Sequence, residues 1–303
     1  MSAGEDKAGR VLILGANGQV GAELQRTFAD YGQIVALGRD RCDLADFDQV
    51  RSAIKDVQPT VILNAAAYTA VDRAETERDL AMRVNGAAAG VVAEEAHRLS
   101  ALLVHYSTDY VFDGSKATPW VEDDATGPLS VYGSSKLEGE RRIAETGGNS
   151  LIFRTSWVFS PHGHNFLRTM LRLGEEREHL KIVNDQMGAP TSALAIATAT
   201  RQAVARVHTG QLEPSEYSGI YHMTCAGLTT WCGFAGAIFR RAKNLQGKKW
   251  ATVTGIPSTD YPTPAVRPKN SVLSNEKLQS RLGVGLCSWE TALDQTLQSL
   301  GMA

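Results

Sequence analysis

A tyrosine and a lysine four residues apart, Tyr132-Gly-Ser-Ser-Lys136, open a helical segment near the middle of the chain. Residues at i and i+4 share one helix face. An ammonium beside a phenol favours the phenolate and is expected to bring the tyrosine below its ordinary value near 10. Such a phenol can hand a proton to a carbonyl that is being reduced near neutral pH. Upstream, Ser107-Thr108-Asp109 ends an apolar strand. The Thr108 hydroxyl can hold a carbonyl oxygen by a hydrogen bond. With eight tyrosines in the chain the spacing alone is a weak sign. A surface tyrosine and a solvated lysine are the bland alternative until a second motif is counted.

That second motif is Gly15-Ala16-Asn17-Gly18-Gln19-Val20-Gly21, a GxxGxxG run between an apolar strand, Val11–Leu14, and a helical pattern from Gly18 to about Asp30. Glycines there permit a tight turn and the close approach of a pyrophosphate, and the helix N-terminus offers free N–H groups. A glycine-rich turn without a ligand is the alternative. The place of the run inside a first βαβ unit favours a dinucleotide. NAD enzymes set an acid on the adenosine ribose about 20 residues further on, and an arginine there accommodates the extra phosphate of NADP. Here Gly38 stands where the acid is expected and Arg39 follows, which leans to NADPH. Asp40 keeps NADH open.

These motifs need a frame. Short apolar runs alternate with helical periodicities: strand Ile34–Leu37, helix Asp46–Val57, strand Val61–Leu63, helix Leu80–Leu99, strand Leu102–Tyr106, helix Val131–Ala144 and strand Leu151–Phe153. Uniformly apolar strands alternating with amphipathic helices specify a parallel sheet covered on both faces, a Rossmann-type doubly wound α/β fold. The second half is less regular. Helices are expected near 165–174, 192–208, 230–243 and 289–300, and four prolines between Pro257 and Pro268 exclude a regular element there. We therefore expect a dinucleotide-binding domain over 1–155. Residues 156–303 are expected to form a smaller, interleaved, mainly substrate-binding region with some segments returning to the sheet.

The chain has 303 residues, 43% apolar and 21% charged, with 31 basic and 33 acidic side chains. That composition is globular. The net charge of −2 gives no general attraction to nucleic acid or to an anionic membrane. No apolar run reaches the roughly 18 residues of a spanning helix, and the first ten residues are polar. A cytoplasmic protein is expected. Four separate cysteines without a CxxC read as reduced thiols. His162 and His164 flank Gly163 without a third ligand nearby and read as an ordinary loop.

The glycine loop, Asn64-Ala-Ala-Ala67, Ser107–Asp109 and the Tyr132/Lys136 pair together resemble the extended short-chain dehydrogenase/reductases. Five further segments narrow the resemblance: Ser107–Gly114, Arg154–Val158, Asn165-Phe166, Asn184–Thr191 and Arg267–Ser271. They are similar to the dTDP-4-dehydrorhamnose reductase family, from about residue 10 to the C-terminus. That family reduces the 4-keto group of dTDP-4-dehydro-L-rhamnose with NAD(P)H. The resemblance implies Tyr132 as general acid, Lys136 as its tuning partner and ribose ligand, and Thr108 as the group orienting the ketone. It further implies cofactor contacts at Gly15, Asn17, Gly18, Gln19, Val20, Arg39, Asp43, Leu44, Ala67, Tyr68, Thr69 and Tyr106. Substrate contacts are implied at Thr108, Asp109, Trp157, Asn165 and Arg267. Some family members hold Mg²⁺ at a dimer contact with three glutamates. Glu23 and Glu290 match two of them, and Leu194 stands at the third, so a metal is doubtful and monomer and homodimer both stay open.

Two alternatives share the same motifs. One is a non-catalytic NADP-binding subunit like the regulatory subunit of methionine adenosyltransferase, which has no need of the intact Arg154–Val158, Asn184–Thr191 and Arg267–Ser271 segments. The other is an epimerase or dehydratase on another nucleotide sugar. A dehydratase is expected to carry a Glu after Asp109, where this chain has Tyr110.

Overall fold

The computed structural model describes residues 9–208, 212–244, 247 and 249–302; the polar residues 1–8 lie outside it. The chain opens with β1 (Gly9–Leu14), α1 (Gln19–Thr27), β2 (Gly32–Leu37), α2 (Phe47–Val57) and β3 (Val61–Asn64). Next come α3 (Val71–Ala74), α4 (Arg78–Ala81) and α5 (Ala88–Arg98), then β4 (Leu102–Thr108), α6 (Val131–Glu145) and β5 (Ser150–Thr155). The second half holds β6 (Val158–Phe159), α7 (Phe166–Glu176), β7 (His179–Val183), β8 (Met187–Gly188), β9 (Thr191–Ser192) and α8 (Ala193–His208). It continues through α9 (Pro214–Tyr217), β10 (Gly219–His222), β11 (Thr229–Thr230), α10 (Trp231–Arg241), β12 (Thr252–Ile256), α11 (Glu276–Leu282) and α12 (Trp289–Ser299).

Six parallel strands form the main sheet in the order β10-β5-β4-β3-β1-β2. The direction of winding reverses beside β1, which places a crevice at the strands' C-terminal ends where an α/β sheet carries its ligand. β1, β3, β4 and β5 are buried almost throughout, as their unbroken apolar runs require. One sheet face packs against α1 and α8, the other against α2, α5 and α6. A third core joins α7, α10 and α12 in the second half.

The helices start where their caps dictate. Asp46 accepts from the Asp48 and Gln49 amides ahead of α2, and Ser130 accepts from the Gly133 amide ahead of α6. The predicted helix Leu80–Leu99 is interrupted: Met82–Ala87 is a π-helical segment between α4 and α5. The cause is visible at Asn85. Its amide accepts from Tyr68 N and donates to Tyr68 O and to Ser135 Oγ, so one side chain clamps the loop after β3 to α6. α6 comes so close that a Cβ on Gly139 would lie 2.3 Å from Asn85 O.

β10 belongs to the second half of the sequence, yet it extends the main sheet beside β5. Its short Gly-Ile-Tyr-His run has no period long enough to identify it. β7 and β12, separated by seven elements of structure, also escape the periodicity and pair in parallel. Between Pro257 and Pro268 the chain makes one 3₁₀ turn, Ser258–Asp260, and is otherwise irregular.

Candidate active site

The cleft begins where β1 ends. Gly15 has φ +81°, and a Cβ there would lie 2.6 Å from Ala66 N. A Cβ on Gly21 would lie 2.1 Å from Gly15 O. Only glycines let the loop fold back on itself and sit against the end of β3. α1 starts at Gly18 with no side-chain cap and no acid in its first turn. Its first amides are therefore left to an external acceptor, and an anion satisfies them best.

From that loop a cleft of ≈ 580 Å³ runs across the ends of β3 and β4. All fourteen residues expected to touch the dinucleotide line it: Gly15, Asn17, Gly18, Gln19, Val20, Arg39, Asp43, Leu44, Ala67, Tyr68, Thr69, Tyr106, Tyr132 and Lys136. Arg39 stands at the exposed rim, loosely paired with Asp43 at 3.3 Å. A side chain at position 38 would have to turn Asn17 and Asp40 aside, since a Cβ would lie 2.4 Å from Asn17 Nδ2 and 2.6 Å from Asp40 Oδ1. Shape, bare helix amides and rim charge fit a phosphorylated dinucleotide.

The inner end is made of side chains. Lys136 is 1% exposed, and its ammonium lies 3.2 Å from His105 Nε2. Burial pushes it down to about 8 against the opposing pull of Glu140. Tyr132, edge-on to Tyr110, is pushed up to about 12 by burial and by Asp109, with a hydrogen bond to Thr108 working the other way. The i, i+4 spacing predicts that Lys136 lowers the phenol. In this arrangement burial dominates, and the lysine is turned to the histidine, so the phenol stays protonated. Thr108 donates to Asp109 Oδ1 at 3.0 Å. Asp109 is raised to about 6 by burial, against hydrogen bonds from Ser271 and Thr108, and its Oδ2 is closed off from solvent.

Beneath them Glu140 accepts from Ser107 Oγ and, at 2.7 Å, from Arg154 Nη2. Both charged partners are almost fully buried, and Arg154 also lies over the Phe112 ring, 5.0 Å from its centroid. Together with Ser107, this pair ties α6, β4 and β5 to one another about two helical turns beyond Tyr132. Sequence reading gave Glu140 no role, because nothing local distinguishes it from the surface acids of the same helix.

The remaining expected contacts are placed less uniformly. Trp157 adopts φ +48° and stacks on Trp231, with centroids 3.6 Å apart and planes 9° apart. Gly188 leaves room for the indole, since a Cβ there would lie 2.5 Å from the ring. Trp231 carries no sequence signal of its own. Arg267 donates to Asp72 Oδ2 at 2.9 Å and reaches Tyr110. Asn165 is spent on structure: it caps α7 through Arg168 N and braces Gln19 Oε1 and Ser160 O, both at 2.9 Å. It shapes the loop that brings Gly163 and His164 to the cleft.

Glu23 is buried and paired with Arg26 at 2.8 Å. Glu290 is half-buried beside Gly227 and Trp289, at the start of α12. Leu194 is the second residue of α8. Among the described residues, no three His, Cys, Asp or Glu side chains come together to hold a metal.

The RmlD substrate binding domain family model matches residues 9–302. The dTDP-4-dehydrorhamnose reductase of Burkholderia thailandensis is 50% identical over 294 residues, covering 96% of this chain and 99% of the relative. That of Escherichia coli K12 is 42% identical, covering 96% of this chain and 97% of the relative. The crystal structure of dTDP-4-dehydrorhamnose reductase from Bacillus anthracis in complex with NADP superposes with a TM-score of 0.87 at 34% identity, covering 96% and 99% of the two chains. Resemblance, fold and full-length match agree, and the chain belongs to the RmlD substrate-binding-domain family.

Proposed function

We propose that this chain reduces the 4-keto group of dTDP-4-dehydro-L-rhamnose to dTDP-L-rhamnose with NADPH. The observation that carries the reading is a proton-donating group, Tyr132, at the inner end of a glycine-walled cleft whose bare helix amides suit a pyrophosphate. Gly18, Gln19 and Val20 would hold the pyrophosphate, Asp43 and Leu44 would flank the adenine, and Arg39 would face the 2′-phosphate. Ala67, Tyr68, Thr69 and Tyr106 would form the walls of the cleft.

When bound, the dihydronicotinamide supplies the hydrogen and electron pair that the sugar carbon gains. The chain's own residues manage the oxygen. A ketone oxygen placed beside Tyr132 would accept from its hydroxyl and, once Thr108 turns its one proton away from Asp109 Oδ1, from Thr108 as well. A phenol held up near 12 is fully protonated at neutral pH and surrenders its proton only as the oxygen becomes an alkoxide. Lys136, charged below about 8, stabilises the phenolate left behind. Asp109 would offer a carboxylate oxygen to a neighbouring sugar hydroxyl once the substrate displaces the groups that cover it. Trp157 gives the sugar ring an apolar wall, and Arg267 lies near enough to meet a diphosphate.

Residues 156–303 would add Trp157 and Arg267 to this substrate side, and we read 1–155 as the dinucleotide-binding part. No helix among the described residues is long and apolar enough to cross a membrane. We infer a cytoplasmic enzyme whose partner is its nucleotide-sugar substrate, acting as a monomer or homodimer. The test is oxidation of NADPH in the presence of dTDP-4-dehydro-L-rhamnose, repeated with NADH. Turnover with NADPH preferred is expected, and no turnover with either coenzyme would overturn the reading.

A further inference from the structure

His105 is a buried titratable group with no part in the scheme above. It lies in β4, 1% exposed, between two polar side chains: Nε2 is 3.2 Å from Lys136 Nζ, and Nδ1 is 3.1 Å from Asn64 Nδ2 at the end of β3. An ammonium can only donate, so the nitrogen facing it must be bare and the ring proton must sit on Nδ1. Nδ1–H then needs an acceptor. Asn64 has one to give, because its Oδ1 is buried without a partner. The two ends of an amide have the same shape, and turning it end for end replaces a donor facing a donor with an Nδ1–H bond to Oδ1. The opposite arrangement has Asn64 Nδ2 donating to a bare Nδ1 and Nε2–H donating to Nζ, and it requires the lysine to be a neutral amine. Ring tautomer, amide orientation and lysine charge are thus one coupled choice.

We propose that His105, its tautomer fixed by Asn64, is a positioning residue that accepts a hydrogen bond from Lys136 and holds that ammonium charged and in place below Tyr132. This rests on the reading of Tyr132 and Lys136 given under Proposed function. His105 takes no second proton itself, since burial and then the Lys136 charge keep it well below 6.5. Glu140 of α6 acts on Lys136 directly, and Tyr132 lies one turn before the lysine on the same helix. Arg154 of β5 is held by Glu140. The neutral Asn64 of β3 meets the other ring nitrogen of His105. Burial works against the ammonium, and Glu140 and the His105 acceptor work for it. Without His105 the lysine should lose its proton at lower pH.

The first measurement uses the unaltered protein. Nitrogen-15 NMR of the histidine rings at pH 7 should show His105 protonated at Nδ1 and bare at Nε2. An Nε2-protonated ring would overturn the proposal whether or not the enzyme turns over, so its failure is separable from that of the functional reading. The second uses His105→Phe and His105→Gln. In H105F, kcat should fall about 10- to 100-fold, as for a lost hydrogen bond to a charged group, with the alkaline limb of its pH profile moved to lower pH. H105Q keeps an acceptor and should return that limb towards the wild-type position. A folded H105F with the wild-type kcat and profile would overturn the proposal. If H105F does not fold, Asn64→Leu leaves the ring in place and should populate the Nε2–H tautomer. An unchanged tautomer and pH profile in N64L would count equally against it.

Discussion

The two ends of the cleft are built from different materials. The end near α1 is backbone: a positive-φ glycine, a turn packed on Ala66 and the uncapped amides of a helix. The inner end is side chain: Tyr132 and Lys136 of α6 line it, backed by the buried Thr108, Asp109, Glu140 and Arg154. The first end binds by shape and dipole and needs almost no charged side chain. The second concentrates ionisable groups where water is scarce, so each perturbs the others, and chemistry can follow from those perturbations. Substitutions that separate the two ends should therefore separate binding from turnover.

The sharpest separation is expected for Tyr132→Phe, which keeps the ring against Tyr110 and removes only the hydroxyl. The kcat should fall about 10²- to 10⁴-fold, the usual scale of a lost general acid, with coenzyme binding close to normal. Steady-state kinetics beside a fluorescence titration with NADPH checks both halves. Turnover near the wild-type rate would dissolve the distinction between the two ends.

Glu140→Ala should act on stability first. It strands the buried Arg154 guanidinium, and breaking a buried pair by removing one partner costs about 3–5 kcal/mol. A denaturant titration should show that loss, while the glycine loop of any protein that remains folded should still bind the coenzyme. Unchanged stability would mean that Arg154 finds another acceptor or water in the variant.

The contrast also explains what could be read from sequence. Gly15–Gly21 was legible because its function lies in seven consecutive residues whose conformational freedom is a local property. The parallel sheet was legible because strands buried on both faces are apolar throughout. Tyr132 and Lys136 announced themselves by a helical spacing. Glu140 and His105 were silent, since their meaning comes from Arg154 and Lys136 reached across the fold. Trp231 pairs with an aromatic far upstream for the same reason. The phenol's direction was misjudged because pair attraction was weighed without the burial that outweighs it. β10 was missed as a sheet strand because four residues carry too little period.

Asp109 offers a test of the same electrostatics with a sign that can be worked out. Its carboxyl is raised from an ordinary value of 3.8 to about 6, chiefly by burial. Between those values the folded protein binds a proton that the unfolded chain has released, so this group's contribution to stability falls as pH rises from about 4 to 6 and stays low above that. Asp109→Asn removes the charge, keeps an acceptor for Thr108 and should stabilise the protein at neutral pH by up to about 3 kcal/mol, with no gain at pH 4. The kcat should drop, since an amide is a poorer acceptor for a sugar hydroxyl. Equal stabilisation at both pH values would remove ionisation as the cause.

The smallest effect belongs to the rim of the backbone-built end. Arg39 is largely exposed, and its pairing with Asp43 is long, so water screens whatever it does. Its one distinguishing task is the 2′-phosphate of NADPH. Arg39→Ala should weaken NADPH about tenfold, as expected for a partly solvated charge-assisted contact, and should leave NADH within about twofold. The position's geometry makes the reverse switch harder. An acid placed at Gly38 to hold an NADH ribose would have to turn the ends of Asn17 and Asp40 aside and would set its charge beside the Asp40 carboxylate, so Gly38→Asp should not produce a good NADH enzyme by itself. Michaelis constants for both coenzymes, measured at two ionic strengths, decide the matter. A specific phosphate contact weakens selectively for NADPH as salt rises. Parallel losses for the two coenzymes would show that Arg39 is a solvated surface charge, and the coenzyme preference would then rest on the shape of the loop alone.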